Sequence, residues 1–273
     1  MYISEDLQKE LRAKYNPDGS MLRRAQLRMV EMLSYFDNFC QKHNLTYWID
    51  AGTLLGAVRH GGFIPWDDDT DVMMPKKDYD KLKKVMLSEP EHEEFVLQCH
   101  ETDPEFYGVW LVLRDKKSEY IQDSNLHRMR KYRGVQIDII ACDNRYINTL
   151  YKFCARFRYN FINKPLLKNT NLTHAPLKVK IVYHFFQKVL VPFCHFISLP
   201  FSHDRMKYYY GAPWNSYRQV KNIYPVSRIV FENVELSAPH NPEGYLTDEY
   251  KSWQSIPPED KIRTHDVNVV FNY

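Results

Sequence analysis

Ile49-Asp-Ala-Gly-Thr-Leu-Leu-Gly-Ala-Val-Arg-His-Gly-Gly-Phe-Ile-Pro-Trp-Asp-Asp-Asp-Thr-Asp71 is the stretch on which the reading of this chain turns. It begins at the end of an apolar segment, residues 45–49, that has strand character. Gly52 and Thr53 then open a short helix over residues 54–58, and Gly61, Gly62 and Pro65 mark a turn. Residues 69–74 are predicted as the next strand. Side chains alternate along a strand, so Asp69 and Asp71 share one face while Thr70 and Val72 turn to the other. The rise per residue sets the two carboxylates about 7 Å apart. Asp67 is expected as a further acid on that face, and Asp68 falls on the opposite one. Carboxylates so placed repel one another unless a divalent cation lies among them. Mg²⁺ is held in this way, by one or two carboxylates together with substrate phosphates and water.

An acidic run is ordinarily a solvated loop. Here Phe63-Ile-Pro-Trp66 and Val72-Met-Met74 put the acids beside core-like sequence, where an unpartnered carboxylate is costly. A calcium loop is excluded, because Val72 stands where that loop needs Gly and Asp78 where it needs Glu. The Gly52-Thr53 helix start offers backbone N–H groups and a favourable dipole to an anion. The same dipeptide is common as plain capping; its weight comes from the Asp69-x-Asp71 pair that follows. Asp138, alone in the apolar run Gly134-Val-Gln-Ile-Asp-Ile-Ile140, is a third candidate. It reads as a metal ligand, as the base for an attacking hydroxyl, or as a hydrogen-bonded structural acid. Arg59 reads equally as a phosphate clamp or as a charge at a helix end.

Outward from this stretch, a helix capped by Asp18 or Ser20 is predicted to residue 42 and another over residues 78–86. Strands are predicted at 94–98, 109–113 and 135–140, with a polar hairpin turn or loop at 114–133. The order describes a mixed α/β (α+β) sheet flanked by helices, with a core over residues 1–145. Residues 146–273 read as a helical, aromatic-rich substrate region followed by a C-terminal segment packing on the core. Helices are expected at 148–163 and 177–199, and a hairpin over 228–236 turns at Glu232-Asn233. The helix at 177–199 approaches bilayer length but contains His184, Gln187, Lys188 and Pro192. A core helix and an in-plane helix at a membrane surface are therefore both preferred to a span. A net charge of +3 on 273 residues gives no argument for a nucleic-acid partner. Five scattered cysteines without a Cys-x-x-Cys pair point away from disulfides and zinc, towards a reducing compartment. The acidic N-terminus lacks signal-peptide character, so a cytoplasmic location is expected, with the inner membrane face as a peripheral site.

The stretch from Ile49 to Asp71 resembles the signature of the LicD family, the phosphocholine transferases of bacterial surface glycans, to which fukutin-type ribitol-phosphate transferases are related. Asp78-Tyr-Asp-Lys-Leu82 and Gln136-Ile-Asp138 resemble the family's pattern as well. So does the C-terminal Ser237-Ala-Pro…Tyr245-Leu…Pro257-Pro-Glu-Asp-Lys-Ile-Arg263-Thr-His265. The resemblance runs from about residue 45 to 265 and implies a nucleotidyltransferase-like fold. It assigns the Gly turn to Gly52 and Thr53, the Asp-x-Asp strand to Asp69 and Asp71, and the later acid to Asp138. Thr70 departs from the apolar residue more usual there. The implied donor is a CDP-linked alcohol, foremost CDP-choline. The implied acceptor is a sugar hydroxyl of a glycan, free or lipid-linked, and CMP is the leaving group. Mg²⁺ or Mn²⁺, as two ions held by Asp67, Asp69, Asp71 and Asp138, is the expected cofactor. Arg263 and His265 are candidate substrate contacts, with structural hydrogen bonding as the alternative. Trp48, Trp66 and Trp110 could cage a quaternary ammonium, although core packing is their commoner use. A metal-dependent glycosyltransferase also uses an Asp-x-Asp pair. It would lack the Gly-Thr turn and release a nucleoside diphosphate.

Overall fold

The computed structural model describes all residues except 1, 122–123, 169–170, 263–267 and 273. Two helices lead in, α1 (Glu5–Tyr15) and α2 (Met21–Lys42). Ser4 and Ser20 cap them, each side-chain oxygen accepting from the backbone N–H three residues on. Ser20, and not Asp18, is thus the cap of α2. Ala25, Met29, Leu33, Phe36 and Cys40 lie on one face of α2 and are buried.

The short β1 (Trp48–Ile49) runs directly into α3 (Ala51–His60), so Gly52 and Thr53 stand in the first turn of that helix rather than ahead of it. Gly61 closes α3 at φ 75°, a left-handed conformation that glycine adopts without a Cβ clash. Next come β2 (Asp71–Pro75), α4 (Lys76–Ser88), β3 (Phe95–Gln98) and β4 (Leu111–Asp115). The polar stretch expected as a plain turn or loop contains β5 (Ser118–Tyr120) and α5 (Asn125–Met129). Its first residues, Arg114 and Asp115, end β4. Alternation was masked there because both faces of β4 are buried, Arg114 included.

The long β6 (Gln136–Arg145) is the spine of the sheet. β2 pairs with it in parallel, in the register Asp71 to Asp138 through Pro75 to Cys142. β4 pairs antiparallel with its first residues, and β3 lies beyond β4. β1 flanks β2. After β6 the chain runs through α6 (Asn148–Arg158), a π-helical turn (Tyr159–Asn163) and α7 (Lys164–Lys168). It then forms α8 (Leu177–Phe185), a second π-helical turn (Phe186–Leu190) and α9 (Val191–Ser198). The later part of the chain returns to the same sheet: β7 (Ser202–Tyr208) pairs with the last residues of β6, and β8 (Tyr217–Gln219) with β7. The sheet is therefore mixed and has an α+β character.

The remaining elements are α10 (Val220–Ile223), the hairpin β9 (Ser227–Phe231) and β10 (Val234–Ala238), α11 (Pro242–Tyr250), and β11 (Val269–Phe271), which pairs with β5. Two bidentate pairs fasten the hairpin to α2. Arg228 holds Asp37 at 2.6 and 2.9 Å, and Arg23 holds Glu232 at 3.0 and 2.8 Å. Glu232 also accepts from Phe63 N, and its own N–H donates to Gly61 O. The hairpin thereby fixes the turn that leads into the acidic run.

Candidate active site

The acids come together because two parallel strands end side by side. Asp71 is the first residue of β2 and lies opposite Asp138 of β6. The strand starts at Asp71, so Asp69 lies just ahead of it and alternation alone does not place Asp69. Thr70 is fully buried on the other side, its Oγ1 donating to Gln136 O at 3.2 Å, and Thr70 O accepts from Asp138 N at 2.9 Å. That last bond holds the run to β6 immediately before the strand proper. Ligand-type oxygens of Asp67, Asp68 and Asp69 all lie within 4.8 Å of one another. Asp68, expected on the opposite face, is thus drawn into the cluster by the bend of the loop.

Several ties hold this geometry. Thr53 Oγ1 accepts from Asp71 N at 2.9 Å, which locks the first turn of α3 to the start of β2. A Cβ on Gly52 would come within 2.7 Å of Asp67 Oδ2, so glycine is what lets that carboxylate lie over the helix start. Gln26 Nε2 donates to Asp67 O at 2.8 Å, and Tyr120 Oη to Asp68 O at 3.3 Å. Arg59 is buried. Its Nε donates to His60 Nε2, and its Nη1 to the carbonyls of Trp253 and Ser255 at 2.9 and 3.1 Å. It ties α3 to the segment after α11, near enough to Asp67 for that charge to act on it, and burial pushes it down to about 10. Arg263 and His265 lie outside the described residues. Of the three tryptophans, Trp48 is wholly enclosed in the core and Trp66 nearly so; Trp110 lies at the site.

The electrostatics are those of crowded like charges. Burial and then the charges of Asp69 and Asp68 raise Asp67 well above the carboxylate range. Burial and then Asp69, Asp138, Asp50 and Asp67 do the same to Asp71. Burial raises Asp138 to about 6 against the opposing pull of Arg114. Gln136 Nε2 donates to Asp138 Oδ1 at 2.9 Å. A cavity of about 170 Å³ opens at Asp138, lined by Trp110, Arg114, Arg130, Gln136 and Phe106 among others. An all-oxygen set that repels itself beside a cavity with cationic and aromatic walls suits a hard divalent cation and a phosphorylated ligand.

Arg114, Arg130, Trp110 and Gln136 were not singled out from the sequence as groups acting on Asp138. Only Gln136 carried a signal, through its place two residues before Asp138 on the same strand face. Asp50 was also passed over, although it lies inside the opening stretch. It is fully buried and bonded to Arg218 and Tyr245.

Likeness to known proteins makes this chain a transferase of phosphate-containing groups. Residues 44–161 match the family model for the LicD/FKTN/FKRP nucleotidyltransferase domain. That part of the chain is similar to the LicD family. The lipopolysaccharide cholinephosphotransferase LicD of Haemophilus influenzae is 25% identical to it, with 92% of this chain and 97% of that protein covered. An uncharacterised protein of Rickettsia prowazekii is 27% identical over 52% of this chain and 62% of its own length. The human ribitol 5-phosphate transferase FKRP is 34% identical over a shorter piece, 22% of this chain and 12% of that protein.

Proposed function

We propose that this chain transfers a phospho-alcohol, phosphocholine foremost, from a CDP-linked donor to a sugar hydroxyl of a surface glycan or lipid-linked oligosaccharide. The observation that carries the reading is the register that sets Asp71 beside Asp138, with Asp67 and Asp69 leading in, in a chain similar over nearly its whole length to a lipopolysaccharide cholinephosphotransferase. Asp67, Asp69 and Asp71 would hold Mg²⁺ or Mn²⁺, and Asp138 would share a second ion. When bound, such ions neutralise charge on the donor's pyrophosphate and make the acceptor hydroxyl more acidic.

The remaining work falls to side chains of this protein. Arg114 and Arg130 give the cavity at Asp138 a positive wall that favours an anionic donor. Trp110 and Phe106 in the same wall offer ring faces to a cationic headgroup. The acceptor oxygen forms a bond to the phosphorus that bears the alcohol, and the bond from that phosphorus to the CMP oxygen breaks. The hydroxyl proton passes to Asp138, which Gln136 orients. Thr53 and Gly52 position Asp71 and Asp67, and Arg59 holds α3 in place.

The test is CMP release from CDP-choline in the presence of Mg²⁺ and a lipopolysaccharide oligosaccharide lacking phosphocholine. Equal amounts of CMP and phosphocholine-bearing acceptor are expected, with loss of both on chelation by EDTA. Release of a nucleoside diphosphate from a nucleotide sugar would replace this reading with glycosyl transfer. Turnover indifferent to EDTA would remove the role given to the acids.

A further inference from the structure

The helices that follow β6 carry an apolar surface that the fold does not use. Leu177, Ile181, Phe185, Val189, Phe193 and Ile197 recur at every fourth residue, and all are exposed, Leu177 by 73% and Phe193 by 59%. A step of four residues on an α-helix draws one continuous ridge, slightly inclined to the axis. The opposite side of the same helices is already committed: Val179, Tyr183, Phe186, Val191 and Cys194 are buried in the protein. Aromatic rings extend the exposed ridge sideways. Phe157 of α6 lies 6.4 Å from Phe185 and 4.8 Å from Phe161, ring centre to ring centre. Phe153 and Phe161 are themselves half exposed. The outer apolar face therefore spans two neighbouring helical stretches.

Charge identifies what covers it. Residues 144–203 contain nine of the chain's 37 lysines and arginines and none of its 34 acids, in a protein whose net charge is only +3. Lys178 and Lys188 are exposed beside the ridge. An apolar ridge bordered by lysines, on helices that carry no acid of their own, is matched to an anionic bilayer surface, with rings and aliphatic chains among the lipid tails and ammonium groups among the headgroups. A second copy of the same face would set exposed lysines against their like. A transmembrane course is opposed by the buried inner face and by His184 and Lys188 at mid-helix. The segment Leu177–Ser198 is long and apolar enough to cross a membrane by length and composition only.

We propose that the outer face of α6 to α9 lies in the headgroup region of a membrane rich in anionic lipid, with the helices parallel to its surface. The inner sides of these helices reach the site: Arg158, Asn163 and Leu166 line the cavity that contains Asp138. A membrane docked on the outer face would hold that cavity a helix's thickness from the lipid. Docking stands apart from the transfer chemistry, since neither the ridge nor its lysines include any residue of the acid cluster.

Flotation with vesicles tests it directly. The chain is expected to float with vesicles of phosphatidylcholine plus phosphatidylglycerol and to float less with phosphatidylcholine alone, and added salt should weaken the first. Replacing Ile181, Phe185 and Phe193 by Ser should lower binding at least about tenfold. The pair Lys178→Glu and Lys188→Glu should lower binding to the anionic vesicles roughly fivefold per residue while sparing the neutral ones. Circular dichroism and thermal melting establish that each variant is folded, and CMP release on a water-soluble acceptor should be unchanged in both. Wild-type protein left behind by anionic vesicles would overturn the proposal, as would a serine variant that floats like the wild type. A dimer in sedimentation velocity that the serine substitutions dissolve, without vesicle binding, would assign the face to a second copy. Absence of CMP release would count against the transfer reading and leave the flotation result as it stands.

Discussion

Two groups of acids meet across one backbone hydrogen bond, Asp50 N to Asp71 O, and the protein treats them in opposite ways. Asp50 is enclosed by partners. Arg218 Nη2 reaches both its oxygens at 3.3 Å, Tyr245 Oη donates to it at 2.6 Å, and the same guanidinium holds Glu249 and donates to Tyr208 Oη at 2.8 Å. Arg218 offsets the charge of Asp50, Glu249 being raised to about 7, and the groups join β7, β8 and α11 to the residue that follows β1. Asp71 has the reverse surroundings: the charges acting most strongly on it are four other carboxylates. A balanced cluster can be closed over and left as architecture. An unbalanced one is costly to keep, and it is kept where a ligand supplies the missing charge. The unlike treatment of two adjacent acids is a stronger pointer to the site than the count of acids in the run.

The largest effect is expected at Asp71. Asp71→Asn should lower CMP release on the order of 10³-fold while the melting temperature in EDTA stays level or rises, because a repelling charge is removed. Retained turnover, or a fold lost with the activity, would contradict the division drawn here. On the balanced side, Arg218→Met should cost about 3–5 kcal/mol in urea unfolding, since it strands Asp50 and Glu249 without their cation. A loss below about 1 kcal/mol would mean that Arg218 is no more than a surface-grade pair.

A smaller effect should appear in the pH dependence of stability without divalent cations. Asp138 is raised from 3.8 to about 6. In that window the native state binds more protons than the unfolded chain, so its contribution is complete below about 3.8 and is lost as pH rises through about 6. The span is at most about 3 kcal/mol, and Asp138→Asn should flatten it. Glu249, raised to about 7 by burial and the charge of Asp50, has the same sign and should remain in that variant. Urea midpoints measured from pH 4 upwards would separate the two, and an unchanged slope in Asp138→Asn would refute the assignment.

Much of this was legible from residue order. Asp69-x-Asp71 next to apolar flanks, and Asp138 alone in an apolar strand, were readable because a carboxylate in such company has few inexpensive explanations. The hairpin at 228–236 was readable from its strand–turn–strand pattern, and the structure turns it at Glu232 and Asn233. The start of β2 was read two residues early, since alternation carries no mark of where pairing begins. The stretch 114–133 concealed β5 and α5, because a polar composition says little about elements buried by distant neighbours. Arg59 was legible as a cation, but its ties to the carbonyls of Trp253 and Ser255 join residues some 194 positions apart. Nor could order alone disclose that β7 and β8 return to the first sheet.

Residue order was enough for the periodic elements, the composition of the acidic run and the resemblance to the LicD family, because each of these is a matter of neighbouring residues. Tertiary structure alone decided which acids face one another, which are neutralised, and which apolar face is left bare. Those outcomes depend on strand register and on partners far along the chain: Asp138 opposite Asp71, Arg218 on Asp50, and a core that claims one side of the helices after β6 and leaves the other outside.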